Sequence, residues 1–221
     1  MESQVQLKWV TPQAENEIVE MARVSAPKNA KNMETGPKLL SYLIKHKHWS
    51  PFEMANMCVT ISTSRGITPQ ILRHRSFTFQ EFSLRYANTN QIGRVETPEL
   101  RAQDFKNRQN STPDLKDKLG VERYAALQRL VSIHLEDAEH LYQELLSAGV
   151  AKESARFVLP LAAPSKLHMN GTLRSWVHYI ELRTANGTQK EHKEIAEQCK
   201  VIFQQQFPII SEALWPEPQS K

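Results

Sequence analysis

The feature that most constrains the fold of this chain is a long run of evenly spaced apolar residues between positions 121 and 148. They recur every three or four positions, at Tyr124, Leu127, Val131, Leu135, Ala138, Tyr142 and Leu145. The mean step of about 3.5 residues predicts one amphipathic helix of about 40 Å, which Gly149 ends as the residue after the C-cap. Its apolar stripe can pack against the core of the same chain or against a helix of another subunit, and the pattern leaves both open.

Shorter patterns on either side of this helix predict further helices and a strand. Apolar and polar residues alternate at 5–10, and Val, Thr and Ile enrich 54–62, which indicates a strand there. Apolar spacing predicts helices at 15–23, 36–45, 151–158, 172–184 and 188–206.

The polar segment 96–120 interrupts these patterns, with Pro98, Pro113 and an Asn-Ser-Thr run at 110–112. We interpret it as a long surface loop or insertion rather than a domain boundary. A chain of 221 residues is a little longer than one average domain. We therefore predict a single domain spanning 1–221.

Composition excludes several classes of protein. No stretch approaches the roughly 18 uncharged apolar residues of a transmembrane helix, and the first residues lack the apolar segment of a signal peptide. The two cysteines, Cys58 and Cys199, are too few for a disulfide framework or a four-cysteine zinc site, and both fall in apolar patterns typical of a core. We expect a cytoplasmic protein without a cysteine nucleophile. The 28 basic and 24 acidic residues give a net charge of +4, which suits nucleotides, phosphates or nucleic acid alike.

The densest group of polar and charged side chains lies at 70–86. Thr68 before Pro69 indicates the N-cap of a short helix, on which Arg73, His74 and Arg75 would point about 100° apart. Glu81, Ser83 and Arg85 would share one face of an extended segment, where an arginine can take a phosphate bidentately. Two other interpretations stay open. One is a solvated charged run beside a core strand, and the other is single-stranded nucleic acid stacked on Phe77 and Phe79.

Other candidate groups are weaker when taken singly. His46 and His48 with Glu53 offer no evident third metal ligand of the expected spacing, so we predict no metal site. Glu153 and Arg156 stand at i, i+3 of a predicted helix, which is typical of an exposed ion pair.

The predicted helix 172–184 gathers several polar residues on one side. Thr172 is its expected N-cap, and Arg174 and His178 are stacked at i, i+4. Arg183, near its C-terminus, fits either the helix dipole or a ligand site. The sequence carries no Walker A loop and no GxGxxG, GxSxG or HExxH motif.

The spacing Arg73-His74-Arg75, seven residues, Ser83, followed by Arg85-Tyr86, closely resembles the signature of flavin-dependent thymidylate synthases. Further blocks resemble that family in the same order: Ala22-Arg23-Val24-Ser25; His48-x-Ser50-Pro51-Phe52-Glu53; Glu153-x-x-Arg156 with Leu159-Pro160; and Gly171-Thr172-Leu173-Arg174-Ser175-Trp176 through Glu181-Leu182-Arg183. The resemblance covers nearly the whole chain except 96–120.

This resemblance implies a fold, a reaction and an assembly. The fold would be α+β, a sheet flanked by helices with one long amphipathic helix. The reaction would be reductive methylation of dUMP to dTMP, with 5,10-methylenetetrahydrofolate as one-carbon donor and NADPH as reductant through FAD, and with no cysteine attacking the base. The assembly would be a homotetramer with shared active sites. Neither a nucleic acid nor a membrane would be a partner.

The resemblance also implies site residues. The dUMP-binding set would be Gln70, Arg73, Glu81, Ser83, Arg85, Arg156 and Arg183. The FAD-binding set would be Ser25, His48, Ser50, Arg73, His74, Arg75, Glu81, Thr172, Arg174 and His178. Arg183 would be catalytic, facing the uracil and favouring its deprotonated or enolate-like form, and Ser83 would bind rather than attack.

Three positions depart from the family pattern. Phe82 replaces a frequent Gln, Gly187 stands where some members have His, and Thr172 stands where others have Asn. These departures put one hydrogen bond to the nucleotide, one folate or flavin contact and one flavin contact in question.

Overall fold

A four-stranded antiparallel sheet organises the fold in the computed structural model, which describes residues 3–29 and 32–216. The strands in chain order are β1 (Gln4–Val10), β2 (Asn56–Ser64), β3 (Thr78–Glu81), β4 (Ala102–Gln103), β5 (Ser111–Thr112) and β6 (Pro164–Thr172). The main sheet has the order β1-β2-β6-β3, and β4 and β5 form a separate hairpin. The predicted α+β class is therefore confirmed.

Most of the helices share one hydrophobic core with this sheet. In chain order they are α1 (Ala14–Ala22), α2 (Gly36–Lys45), α3 (Thr68–Leu72), α4 (Leu115–Leu119), α5 (Val121–Ser147), α6 (Lys152–Ala155), α7 (Leu173–Thr184), α8 (Lys190–Gln206) and α9 (Pro208–Leu214). Among the described residues, no helix combines the length and apolarity needed to cross a membrane.

The strand β6, which lies between β2 and β3 in the main sheet, was not predicted from the sequence. Its alternate residues Leu167 and Met169 are fully buried, while Lys166 on the other face is exposed. Gly171 is required because a Cβ there would lie 2.4 Å from the ring of Phe77. Glycine and asparagine in this stretch weaken the strand signal, so the pairing rather than the local sequence defines β6.

The long helix α5 forms as predicted. Gly149, at φ 83°, donates its N–H to Leu146, and Val150 donates to Leu145, which is the Schellman arrangement that ends a helix. Of its residues only Leu135 and Tyr142 are buried. Another apolar set on α5 is exposed, namely Leu130, Ile133 and Leu141. The helix therefore contacts the core over only part of its surface.

The polar segment at 96–120 contains the β4–β5 hairpin and α4. Arg101 ties it to α8, because its guanidinium lies 2.7 Å from Glu191 and 3.1 Å from Glu99. The segment 96–120 is thus held against α8.

Some local predictions were wrong. Thr68 is not an N-cap, because its buried hydroxyl donates to the carbonyl of Ser64 at 3.1 Å. The predicted helix at 151–158 divides into α6 and a 3-10 turn, Arg156–Val158. The other predicted helices agree with α1, α2, α7 and α8 to within two residues at each end.

Candidate functional site

Arg183 and His74 form the central contact of the site. Arg183 lies in the last turn of α7, and its Nε donates to Nε2 of His74 at 2.9 Å. Burial, and then the electrostatic influence of Arg183 and His178, lower the pKa of His74 to about 4. The imidazole is therefore neutral near pH 7, with Nε2 accepting and Nδ1 protonated. This contact fixes Arg183 through Nε and leaves its two terminal nitrogens to donate to a ligand.

The start of α7 is held by Glu53. The Thr172 hydroxyl accepts from the Ser175 N–H, as predicted for an N-cap, and donates to Glu53 at 2.9 Å. The other carboxylate oxygen of Glu53 accepts from Arg174 at 2.7 Å. The sequence indicated Glu53 only as a residue near two histidines and as part of a family block, so its contact with Arg174 was missed.

A cavity of about 500 Å³ opens beside these residues. It is lined by Trp49, Glu53, Ser76, Arg174, Ser175, Val177, His178 and Glu181. Arg174 and His178 of the FAD-binding set therefore meet in one cavity with an indole and an apolar side chain. Such a mixture suits a planar ring that carries polar edges.

A second cavity, of about 330 Å³, gathers part of the dUMP-binding set. Glu81, Ser83 and Arg156 line it together with Arg65, which was not predicted. Arg65 donates to the main-chain oxygen of Arg156 at 3.4 Å, and Ser165 donates to Glu81 at 2.9 Å. Two guanidinium groups and a hydroxyl at one opening can bind an oxyanion.

The geometry predicted for the 81–85 segment was wrong. The strand ends at Glu81 and the chain turns at 84–86, so Glu81, Ser83 and Arg85 do not share an extended face. The Ser83 hydroxyl instead accepts from the Arg85 main-chain N–H at 3.3 Å.

The ion pair predicted between Glu153 and Arg156 is not formed by these two described residues. The carboxylate of Glu153 lies 3.5 Å from Arg85, and both side chains are exposed. The Nε of Arg156 donates to the main-chain oxygen of Glu153 at 3.3 Å. Arg156 also lines the second cavity.

The three consecutive basic residues do not share a helical turn, because α3 ends at Leu72 and Arg73 is its C-cap. Arg73 and Arg75 are exposed, while His74 is half-buried. Ser25, His48 and Ser50 of the FAD-binding set are exposed as well. None of these five exposed residues lines either cavity described above.

Phe77 cannot serve as a stacking platform for nucleic acid. It is buried at 7% exposure and packs edge-on against Trp176, with ring centroids 4.9 Å apart. The interpretation that bases stack on Phe77 and Phe79 is therefore wrong for Phe77.

Gln70 belongs to a hydrogen-bonded chain that runs into the core. Its Nε2 donates to Gln189 at 2.7 Å, and its Oε1 lies 3.4 Å from Nδ1 of His192. The other ring nitrogen of His192 lies 3.1 Å from the hydroxyl of Tyr179. His192 is fully buried, and burial, with the charge of Arg183 next, lowers its pKa to about 3. No sequence motif singled out His192.

The departures Phe82 and Gly187 have structural explanations. Phe82 packs against a small second core that includes Leu84 and Tyr142. Gly187 has a φ of 90°, a conformation that favours glycine over a residue with a side chain.

Both cysteines are buried, as predicted, and burial raises the pKa of each thiol. A thiol in such surroundings remains protonated and unreactive at neutral pH. Within residues 3–29 and 32–216, no group of three or more His, Cys, Asp or Glu side chains is arranged to hold a metal.

Comparison with known proteins identifies relatives along nearly the whole chain. The family model described as thymidylate synthase complementing protein matches residues 6–209. A probable flavin-dependent thymidylate synthase of Paramecium bursaria Chlorella virus 1 is 49% identical over 204 residues, covering 91% of this chain and 90% of that one. A flavin-dependent thymidylate synthase of Synechocystis is 46% identical over 197 residues, covering 89% and 87%.

Solved structures are similar as well. A UMP/dUMP methylase of Streptomyces cacaoi bound with 5-Br dUMP has a TM-score of 0.73 at 27% identity, over 96% of this chain and 93% of that one. The same methylase bound with 5-Br UMP has a TM-score of 0.77 at 25% identity, over 96% and 92%.

Proposed function

Because this chain belongs to the family of thymidylate synthase complementing proteins, the flavin-dependent thymidylate synthases, we propose that it methylates dUMP to dTMP. The one-carbon donor is 5,10-methylenetetrahydrofolate, and NADPH is the reductant through FAD. The observation that carries the proposal is the fixed guanidinium of Arg183, held through Nε by neutral His74.

Arg183 acts on the pyrimidine in this proposal. Its Nε is engaged by His74, so the two terminal nitrogens form a rigid fork of donors. In the N3-deprotonated or enolate-like form of the uracil, C5 is more nucleophilic, and the negative charge lies on N3 and the carbonyl oxygens. A cation oriented in advance towards these atoms stabilises that charge without reorganisation.

The first cavity has the properties that a flavin ring requires. Its volume of about 500 Å³ lies within the range of roughly 300–1,000 Å³ for small-molecule sites. Arg174 and His178 would contact the cofactor there, and exposed Arg73 and Arg75 are cations available for its phosphates. A bound flavin supplies the transfer of reducing equivalents and the handling of the one-carbon unit, while the protein binds and orients the reactants.

The second cavity suits the phosphate of dUMP. Arg65, Arg156 and the Ser83 hydroxyl line it, and a dianion gains from forked, charge-assisted hydrogen bonds. Ser83 acts there as a ligand, because the carboxylate of Glu81, which lines the same cavity, accepts from Ser165, while the Ser83 hydroxyl accepts from the Arg85 N–H.

The separation of these groups supports a site that is shared between subunits. The two cavities have no lining residue in common. The dUMP-binding set is also divided, since Arg183 lies on α7 and lines neither cavity, while Arg156 lines the second cavity. A second subunit could complete the dUMP-binding set by placing its own site residues beside those of the first. The exposed apolar face of α5 is available for such a contact. We expect a homotetramer in the cytoplasm.

The chemistry proceeds without a cysteine nucleophile. Cys199 is fully buried and Cys58 nearly so, and both thiols have a raised pKa. Neither thiol is therefore available to bond to the base.

Release of tritium from dUMP labelled at C5 tests the proposal. The holoenzyme is expected to release tritium and form dTMP only when NADPH and the folate are both present. Arg183→Ala should lose nearly all turnover and retain bound flavin. Absence of release, or equal turnover by flavin-free protein, would contradict the proposal.

A second candidate substrate is UMP, because the similar Streptomyces cacaoi enzyme is a UMP/dUMP methylase. Parallel assays with UMP and dUMP distinguish the two. We expect turnover of dUMP, and a preference for UMP would correct the assignment.

A further inference from the structure

His192 is a fully buried polar residue that no step of the proposed reaction uses. It lies on α8 and joins Gln70 to Tyr179 through its two ring nitrogens, at 3.4 and 3.1 Å. A buried imidazole is costly unless both nitrogens find partners, and an apolar residue would fill a core position at lower cost. The polar contacts therefore need an explanation beyond packing.

The donors and acceptors of this chain are ordered in one direction. The Nε2 of Gln70 donates to Gln189 at 2.7 Å, so the opposite end of the amide, Oε1, can only accept. The Nδ1 of His192 must therefore carry the proton. Since the ring is neutral, its Nε2 accepts from the hydroxyl of Tyr179. Tyr179 is itself fully buried and keeps its proton, because burial raises its pKa well above the ordinary value.

We propose that His192 is a positioning residue for the nucleotide site, which holds the Gln70 amide with its oxygen turned to the core and its NH₂ turned to the ligand. The Nε2 atom of Gln70 has two N–H groups. One donates to Gln189, and the other can donate to an acceptor oxygen of the nucleotide. A free glutamine amide can present either end. The inference rests on the proposed role of Gln70 in binding dUMP.

Two variants separate the two contacts of His192. In His192→Asn the side-chain NH₂ takes the place of Nδ1–H and keeps a donor for Gln70. In His192→Gln the longer side chain keeps an acceptor for Tyr179 and loses the donor for Gln70. We expect His192→Gln to raise the dissociation constant of dUMP for the holoenzyme about tenfold, as for one lost hydrogen bond. His192→Asn should stay within about twofold of the wild type.

Binding is measured by quenching of bound-flavin fluorescence and compared with KM and kcat. A positioning role moves the dissociation constant and the KM for dUMP, and leaves kcat at saturating dUMP within about threefold. Equal weakening in both variants would show a structural role and overturn the proposal.

A double-variant cycle with Gln70→Ala tests whether His192 acts through Gln70. If it does, His192→Gln adds less than about a twofold effect in the Gln70→Ala background. If the effects of the two substitutions on the dissociation constant of dUMP simply multiply, the inference is overturned. The proposed function still stands in that case, because the wild type binds dUMP. If the wild type binds no dUMP, both are overturned.

A variant outside the core provides an independent measurement in case those at position 192 fail to fold. Gln70→Glu keeps an acceptor for His192 and has no donor for the nucleotide. It should weaken dUMP binding as much as Gln70→Ala does. Binding of dUMP by Gln70→Glu at wild-type strength overturns the proposed orientation of the amide.

Discussion

Arg183 donates from Nε to Nε2 of His74 at 2.9 Å, and His74 can accept only because its imidazole is neutral. Two groups that are often both cationic are thus joined by a hydrogen bond instead of repelling each other. The charge of Arg183 is itself one cause of the low pKa of His74, after burial. The pair therefore maintains the state that orients the guanidinium.

His74→Leu should reduce kcat about tenfold to a hundredfold, because Arg183 then loses the acceptor that fixes it. His74→Gln, whose amide oxygen can replace Nε2, should retain more activity than His74→Leu. Turnover is measured at saturating FAD, since the family resemblance also assigns His74 to flavin binding. Equal activity of the two variants would contradict the acceptor role.

The pKa of His74 also sets a pH dependence. Since the pKa lies near 4, the ring stays neutral at pH 6–8 and is protonated as the pH falls through about 4. The contact with Arg183 should therefore add no inflection to the profile of kcat between pH 6 and 8. An inflection in this range that disappears in His74→Gln would contradict the assigned protonation state.

Glu53 controls the orientation of Arg174, so Glu53→Ala should weaken FAD binding about tenfold. The carboxylate accepts from both Arg174 and Thr172 at the start of α7. Equilibrium dialysis or flavin fluorescence measures the dissociation constant. Glu122→Ala, at an exposed carboxylate in the first turn of α5, is the matched control. Unchanged FAD affinity in Glu53→Ala would show that Arg174 needs no such partner.

The fold and the site differ in how much of each the sequence could predict. The helix α5 was predicted with both ends because its pattern is local and Gly149 stops it. The strand β6 was missed because its register with β2 pairs residues more than a hundred positions apart, such as Thr60 and His168.

The same distinction holds within the site. Arg174, His178 and Arg183 were predicted together because a single helix, α7, carries them. Their orienting partners come from elsewhere in the chain: Glu53 is 121 positions from Arg174, and His192 is 122 positions from Gln70. Such contacts leave no local pattern, and His192, which belongs to no motif, could be found only from the structure.

Arg65 should bind the phosphate of dUMP, although no motif identified it. Arg65→Gln is expected to weaken dUMP binding about tenfold, because one charge-assisted hydrogen bond is lost. Binding of deoxyuridine, which has no phosphate, should not change. Arg94→Gln, at an exposed arginine outside the second cavity, is the control. Equal weakening of dUMP and deoxyuridine would assign Arg65 a structural role.

The exposed apolar face of α5 should lie in a subunit contact. Leu130 is 64% exposed and Ile133 is 45% exposed, which is unfavourable for side chains of this size unless a partner covers them. Leu130→Glu with Ile133→Glu should lower the mass measured by light scattering and reduce turnover with it. Val201→Glu, at a 52% exposed valine on α8, is the control. A fully active double variant of unchanged mass would place the contact elsewhere.

His192 should also make stability depend on pH. The pKa of His192 is about 3 in the folded chain, against an ordinary value of 6.5. Between these two pH values, the unfolded chain therefore binds a proton that the folded chain does not. The stability due to neutral His192 is complete above about pH 6.5 and is lost as the pH falls towards 3, by about 1.4 kcal/mol per pH unit.

His192→Asn has no such proton to bind. Urea unfolding at equal protein concentration should therefore show the wild type's advantage over His192→Asn shrinking by about 2 kcal/mol between pH 7 and 5. An advantage that stays constant over this range would mean that His192 is already protonated in the folded protein, or that its buried contacts do not depend on its charge.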